Sequence, residues 1–131
     1  MAEVSIGPGI TFISAGFPSP AEDFTELSIS LDKHLIQNPA ATFMAYANGN
    51  SMIKAGIHHG DILIIDRSLN ARNGDIIIAV LNGEFMVKQL SIINDTFFLV
   101  PHNSQYSSFR ISSDMDFEVW GVVNYSIRKH R

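Results

Sequence analysis

A mostly β fold of short, largely antiparallel strands, preceded by an extended N-terminal arm, is predicted by three features of the sequence. Two runs rich in β-branched residues, "DILIID" and "DIIIAVL", are each introduced by a Gly-Asp pair, Gly60-Asp61 and Gly74-Asp75, and such runs suit buried strands. Asn82-Gly83 then stands between "DIIIAVL" and "EFMVKQL". A type I′ hairpin turn needs positive φ at both central residues, which Asn-Gly supplies. Finally, no segment has the length of crossover helix that parallel strands require.

The elements follow in order. Residues 1–26 carry Gly7, Gly9, Gly16, Pro8, Pro18 and Pro20 around the short apolar stretch "ITFISAGF". Proline cannot donate to a sheet ladder and keeps its predecessor extended, so this segment reads as a flexible arm with no core of its own, and residues 27–131 as the β-rich domain. "ELSISLD" alternates with period two and predicts a strand; "DKHLIQN" has room for a short helical turn before Pro39; "ATFMAYA" predicts a second strand. "SMIKAGI" suits one or two helical turns closed by Gly56. After the hairpin, "TFFLV", "SSFRIS" and "DFEVWGVVNYSI" bring the total to at least eight strands.

Composition narrows the chemistry. With 131 residues, 46% of them apolar and 17% charged, the chain can bury a core as one domain. There is no cysteine, which excludes disulfides, thiolate zinc sites and a cysteine nucleophile. The five histidines, His34, His58, His59, His102 and His130, show no metal-binding spacing and read as loop and surface residues. Asp61, Asp66 and Asp75 flank strands and read as turn formers. No metal and no cofactor is expected. A net charge of −4 argues against sequence-independent binding to a phosphate backbone, and "RKHR" at 128–131 reads as a solvated cluster. Neither a secretory leader nor an apolar run of membrane-spanning length is found, so a cytoplasmic protein is expected.

Two residues stand out. Ser51, in "NGNSM", either caps the turn that follows or serves as a nucleophile that needs a base. Hairpin geometry sets Leu81 opposite Glu84, Val80 opposite Phe85 and Ile77 opposite Lys88. Lys88 then shares a face with Met86 and Leu90. It either lays its methylenes on that face with its ammonium in water, or is desolvated enough to lose its proton and act as a base. A Ser-His-Asp arrangement stays open by composition, although no G-x-S-x-G elbow is present.

Taken together, "AGFPSPAEDF", "NGNSMIKAGIHHGDILIID", "NGDIIIAVLNGEFMVKQL" and "VPHNSQYS" resemble the UmuD proteins, relatives of the LexA and phage repressors in the family of serine peptidases that cleave themselves. The similarity runs from about Ala15 to the C-terminus. Its most demanding part is a G-x-S-M followed, 37 residues after the serine, by the lysine of E-F-x-V-K. The resemblance implies a LexA/UmuD-like fold with Ser51 as nucleophile, Lys88 as general base, and the Ser51 amide helping to hold the oxyanion. It implies Ala15-Gly16 as the bond that is cut. It further implies a homodimer, stimulation by RecA filaments on single-stranded DNA, and association of the shortened form with UmuC, an error-prone translesion polymerase. Without a helix-turn-helix segment the chain is not expected to bind specific DNA sequences. The rival functions are a non-catalytic module that docks on a polymerase and a leader-peptidase-like protease, the second disfavoured by the missing membrane anchor.

Overall fold

The computed structural model describes residues 2–5, 11–14 and 30–131. It divides into two units, Met1–Gln37 and Asn38–Arg131. In the first, β1 (Ala2–Ser5) and β2 (Thr11–Ser14) pair antiparallel, with Ala2 opposite Ser14. Residues Leu31–Leu35 form a short helix, α1. This corrects the strand expected over "ELSISLD": its last two residues, Leu31 and Asp32, are helical, and the stretch 26–29 lies outside the described residues. Asp32 in the first turn and Lys33 and His34 in the last suit the helix dipole, a local preference that the period-two pattern concealed.

The second unit is one seven-stranded antiparallel sheet. Its strands are β3 (Thr42–Tyr46), β4 (Ile62–Asp66), β5 (Ile76–Leu81), β6 (Glu84–Ile93), β7 (Thr96–Val100), β8 (Phe109–Arg110) and β9 (Phe117–Ile127). Across the sheet they run β3-β4-β9-β5-β6-β7-β8. The C-terminal strand therefore enters between two strands that are neighbours in sequence.

The hairpin register is the one read from the sequence: Leu81 faces Glu84, Val80 faces Phe85 and Ile77 faces Lys88. Asn82 and Gly83 supply φ values of 50° and 82°, as the turn demands. A second turn of the same hand, with Asn94 at 49° and Asp95 at 62°, joins β6 to β7. The long β9 skips a residue twice, at Asn124 against β4 and at Trp120 against β5. Such bulges let one strand follow two partners of different twist. Between them Gly121 passes so close to β4 that a Cβ would lie 2.5 Å from Ile65 Cγ2.

Alternation sorts the core onto the two faces. Leu63, Ile65 and Ile78 pack with Ala47, Met52 and Ile57, whereas Ile77, Ala79 and Leu81 pack with Leu90, Leu99 and Val122. The first group anchors the segment that carries Ser51, through Met52, while the second fixes the strand that carries Lys88, through Leu90. Burial of each such aliphatic side chain contributes about 1.5–3 kcal/mol.

The flanking polar groups are tied down. Asp66, 1% exposed, accepts from Asn38 Nδ2 at 2.8 Å and from the Ser68 amide and hydroxyl at 2.8 and 2.6 Å. Asp61 accepts from the His58 amide at 2.9 Å and Asp75 from the Arg72 amide at 2.8 Å. All three aspartates order turns. The solvated reading of Arg128 is corrected: its Nε lies 3.2 Å from Asp61 Oδ1 and its Nη2 donates to Gly56 O at 2.8 Å. A buried carboxylate 67 residues away recruits it.

Candidate active site

Ser51 occupies the turn between β3 and a short 3-10 turn, Ile53–Ala55. Gly49 enters that turn at φ 82° and Gly56 leaves it at φ 84°, so the chain reverses at both ends of a segment whose middle is pinned by Met52, 1% exposed. Ser51 does not cap the turn: the capping position belongs to Met52 and no side-chain cap bond forms there. Among the described residues the Ser51 amide donates no hydrogen bond.

Lys88 sits mid-strand on β6. It shares with Ser51 a cleft of about 310 Å³, also lined by Asn48, Glu84, Met86 and Tyr106. The ammonium nitrogen lies 5.6 Å from the centre of the Tyr106 ring. No carboxylate comes within ion-pair distance of it among the described residues. Burial lowers the Lys88 pKa below the ordinary lysine value, because desolvation penalises the charged amine. The two residues singled out in the sequence thus face one space, although 37 positions separate them. Ala15 and Gly16 lie outside the described residues.

A further segment, after β7, holds the Ser51 turn and has no counterpart among the residues singled out in the sequence. His102, assigned to the surface, is half-buried. Its amide donates to Ser51 O at 2.7 Å and its carbonyl accepts from Lys54 N at 2.7 Å. Its Nε2 meets Gln89 Oε1 at 2.6 Å, and Asn103 Nδ2 donates to Asn50 O at 2.8 Å. His58, also assigned to the surface, is half-buried beside Asp61 and contacts Arg128 through its Nδ1. The only hint was "VPHNSQYS" itself, a polar loop with a histidine, an asparagine and a tyrosine in close succession.

A serine held in a turn and a lysine that carries its charge poorly thus line one cleft. The model of the Peptidase S24-like family matches residues 8–124. The chain belongs to this S24 peptidase family.

Its relatives agree. Over 119 residues, 90% of this chain and 81% of the relative, it is 39% identical to Protein MucA of Salmonella typhimurium. Over 117 residues, 89% of this chain and 79% of the relative, it is 41% identical to Protein ImpA of Escherichia coli. A LexA repressor of Stenotrophomonas maltophilia is 31% identical over 124 residues, 95% of this chain but 58% of the repressor. The mostly β sheet is consistent with this S24 membership. Among the described residues no helix is long and apolar enough to cross a membrane.

Proposed function

We propose that this S24 protein cuts its own arm at Ala15-Gly16, with Ser51 as nucleophile and Lys88 as general base. The shared cleft of the two side chains supports this most strongly. Uncharged Lys88 takes the Ser51 hydroxyl proton as the oxygen attacks the Ala15 carbonyl carbon, and the negative charge passes to the carbonyl oxygen beside the Ser51 amide. The C–N bond then breaks, Lys88 returns its proton to the departing Gly16 amine, and residues 1–15 remain as an ester on Ser51. Water, deprotonated by Lys88 in turn, releases them.

Desolvation of Lys88 is the physical requirement. An ammonium cannot accept a proton, so the cleft must hold the amine in surroundings that favour its neutral form at accessible pH. The UmuD-like relatives support the biological setting. A RecA filament on single-stranded DNA raises the share of molecules whose arm lies in a cleft, since a ligand moves such an equilibrium only by its differential affinity for the two states. The arm is cut within a homodimer, and the shortened form, residues 16–131, joins a UmuC-type translesion polymerase.

The test is mass spectrometry of the purified chain after incubation with and without filament. Loss of residues 1–15 is expected, faster with filament, and absent from Ser51→Ala and Lys88→Ala. Equal rates with and without filament would remove the regulatory part. An intact arm in every sample would leave a docking module with an idle dyad.

A further inference from the structure

Ser51 and Lys88 come from pieces of chain that do not hold each other. Among the described residues no backbone hydrogen bond joins the turn at 48–52 to β6. Their spacing has to be set by something that grips both, and the connection between β7 and β8 does so. On the nucleophile side it binds three points within residues 50–54: Asn103 Nδ2 donates to Asn50 O, the His102 amide to Ser51 O, and Lys54 N to His102 O.

On the base side the same segment is registered against β6. Val100 lies opposite Gln89 in the sheet. Gln89 donates from Nε2 to Gly74 O at 3.0 Å, which aims its Oε1 at His102 and makes His102 Nε2 the donor. Tyr106, at the far end of the segment, stands against Lys88 and lines the cleft on which both dyad side chains open.

We propose that residues 101–106 are the positioning element of the dyad, with Asn103 its key side chain. This rests on the self-cleavage proposed above. Asn103 works in two directions at once. Its Oδ1 accepts from the Gln105 amide at 3.0 Å and its carbonyl from the Tyr106 amide at 3.0 Å, which shape the loop. Its Nδ2 alone reaches across to Asn50. Substitution at one atom can therefore separate the loop's own turn from its grip on the nucleophile.

Asn103→Asp is that substitution: the carboxylate still accepts from Gln105 but cannot donate to the Asn50 carbonyl. Arm loss of the full chain would be followed by mass spectrometry from pH 7 to 10, beside the melting temperature. The plateau rate at high pH is expected to fall about 10- to 100-fold, the size of effect that small misplacements of reacting groups produce, while the protein stays folded. Added charge near Lys88 alone would instead move the midpoint of the pH profile upward and leave the plateau. That result, or a rate within twofold of the parent, overturns the proposal.

Gln89→Leu, which removes the tether of His102, is expected to lower the same plateau, and it decides the matter should Asn103→Asp fail to fold. Two parent-level plateaus would dismiss the segment as a mere connection. Cleavage by the parent that is lost in Ser51→Ala, with the loop variants unaffected, refutes positioning and keeps the dyad. Ser51-independent cleavage, or none, refutes both.

Discussion

Asp66 and Lys88 both hold an ionisable group partly or wholly out of water, and their surroundings treat it in opposite ways. At the corner after β4, the carboxylate of Asp66 is met by three donors, from Asn38 and from the Ser68 hydroxyl and amide. The Asn38 and Ser68 side chains, opposed by burial and helped by the Ser68 amide, hold its pKa below the ordinary value. At the cleft, Lys88 meets an aromatic ring and apolar strand neighbours, and burial alone lowers its pKa. Both pKa values fall, yet the consequences diverge. Lowering a carboxylate's pKa favours its charged form and binds the corner together, whereas lowering a lysine's favours its neutral form and prepares a base.

This contrast can be broken by experiment. The largest effect is expected from Lys88→Met, which keeps the side chain's bulk and removes the amine. Self-cleavage should drop by at least about three orders of magnitude, the scale of losing a dyad partner. The melting temperature at pH 7 should rise, because an ammonium held in poor solvation is gone. The sign follows from linkage: between the lowered folded value and the unfolded value of 10.5, the unfolded chain binds more protons, so the parent gains stability as pH rises through that window. The advantage of the methionine variant should shrink there. A melting temperature below the parent's at pH 7 would mean that Lys88 is well solvated or paired.

Next comes the pH dependence of cleavage itself. Below the Lys88 pKa the rate should climb about tenfold per pH unit and above it level off, as the fraction of neutral amine does, with the midpoint shifted down from the ordinary lysine value. A flat profile from pH 7 to 10 would contradict lysine as base.

At the satisfied corner, Asp66→Ala strands donors from Asn38 and Ser68 and should cost about 2–3 kcal/mol in denaturant unfolding, with cleavage by the remaining folded protein unchanged. In acid, Asp66 and Asp61 act together. Burial would raise the Asp61 pKa, but the His58 amide and Arg128 outweigh it and hold it below 3.8. Both carboxylates thus contribute stability in full above that value, and it is lost as pH falls through their folded values. Smallest is Arg128→Met. The guanidinium is partly exposed, so its removal from Asp61 should cost about 1–2 kcal/mol, seen as a lower midpoint in urea.

The hairpin that carries Lys88 was legible because its register is set locally. A two-residue turn at Asn82-Gly83 fixes the register of β5 and β6, and the register alone sets Lys88 opposite Ile77 on the face it shares with Leu90. Glycines at 49 and 56 bound the Ser51 turn in the same short-range way. The clamp of His102 and Asn103 was not legible, since its partners, Asn50 and Ser51, are about fifty residues away and polar loop residues look alike whether they face water or a backbone carbonyl. The same holds for Arg128 and Asp61. Over "ELSISLD" period-two alternation misled, because Leu31 and Asp32 satisfy a strand pattern and a helix start equally well.

The sequence by itself determined most strands of the sheet and the hairpin register, because period-two patterning and a tight turn act over a few residues, and its resemblance to a known family singled out Ser51 and Lys88. Only the tertiary structure decided that β9 enters between β4 and β5, and that residues 101–106 grip the Ser51 turn on one side and meet β6 on the other. Those choices depend on which distant backbone groups and charges find partners once the sheet closes, a condition that no local stretch of chain can express.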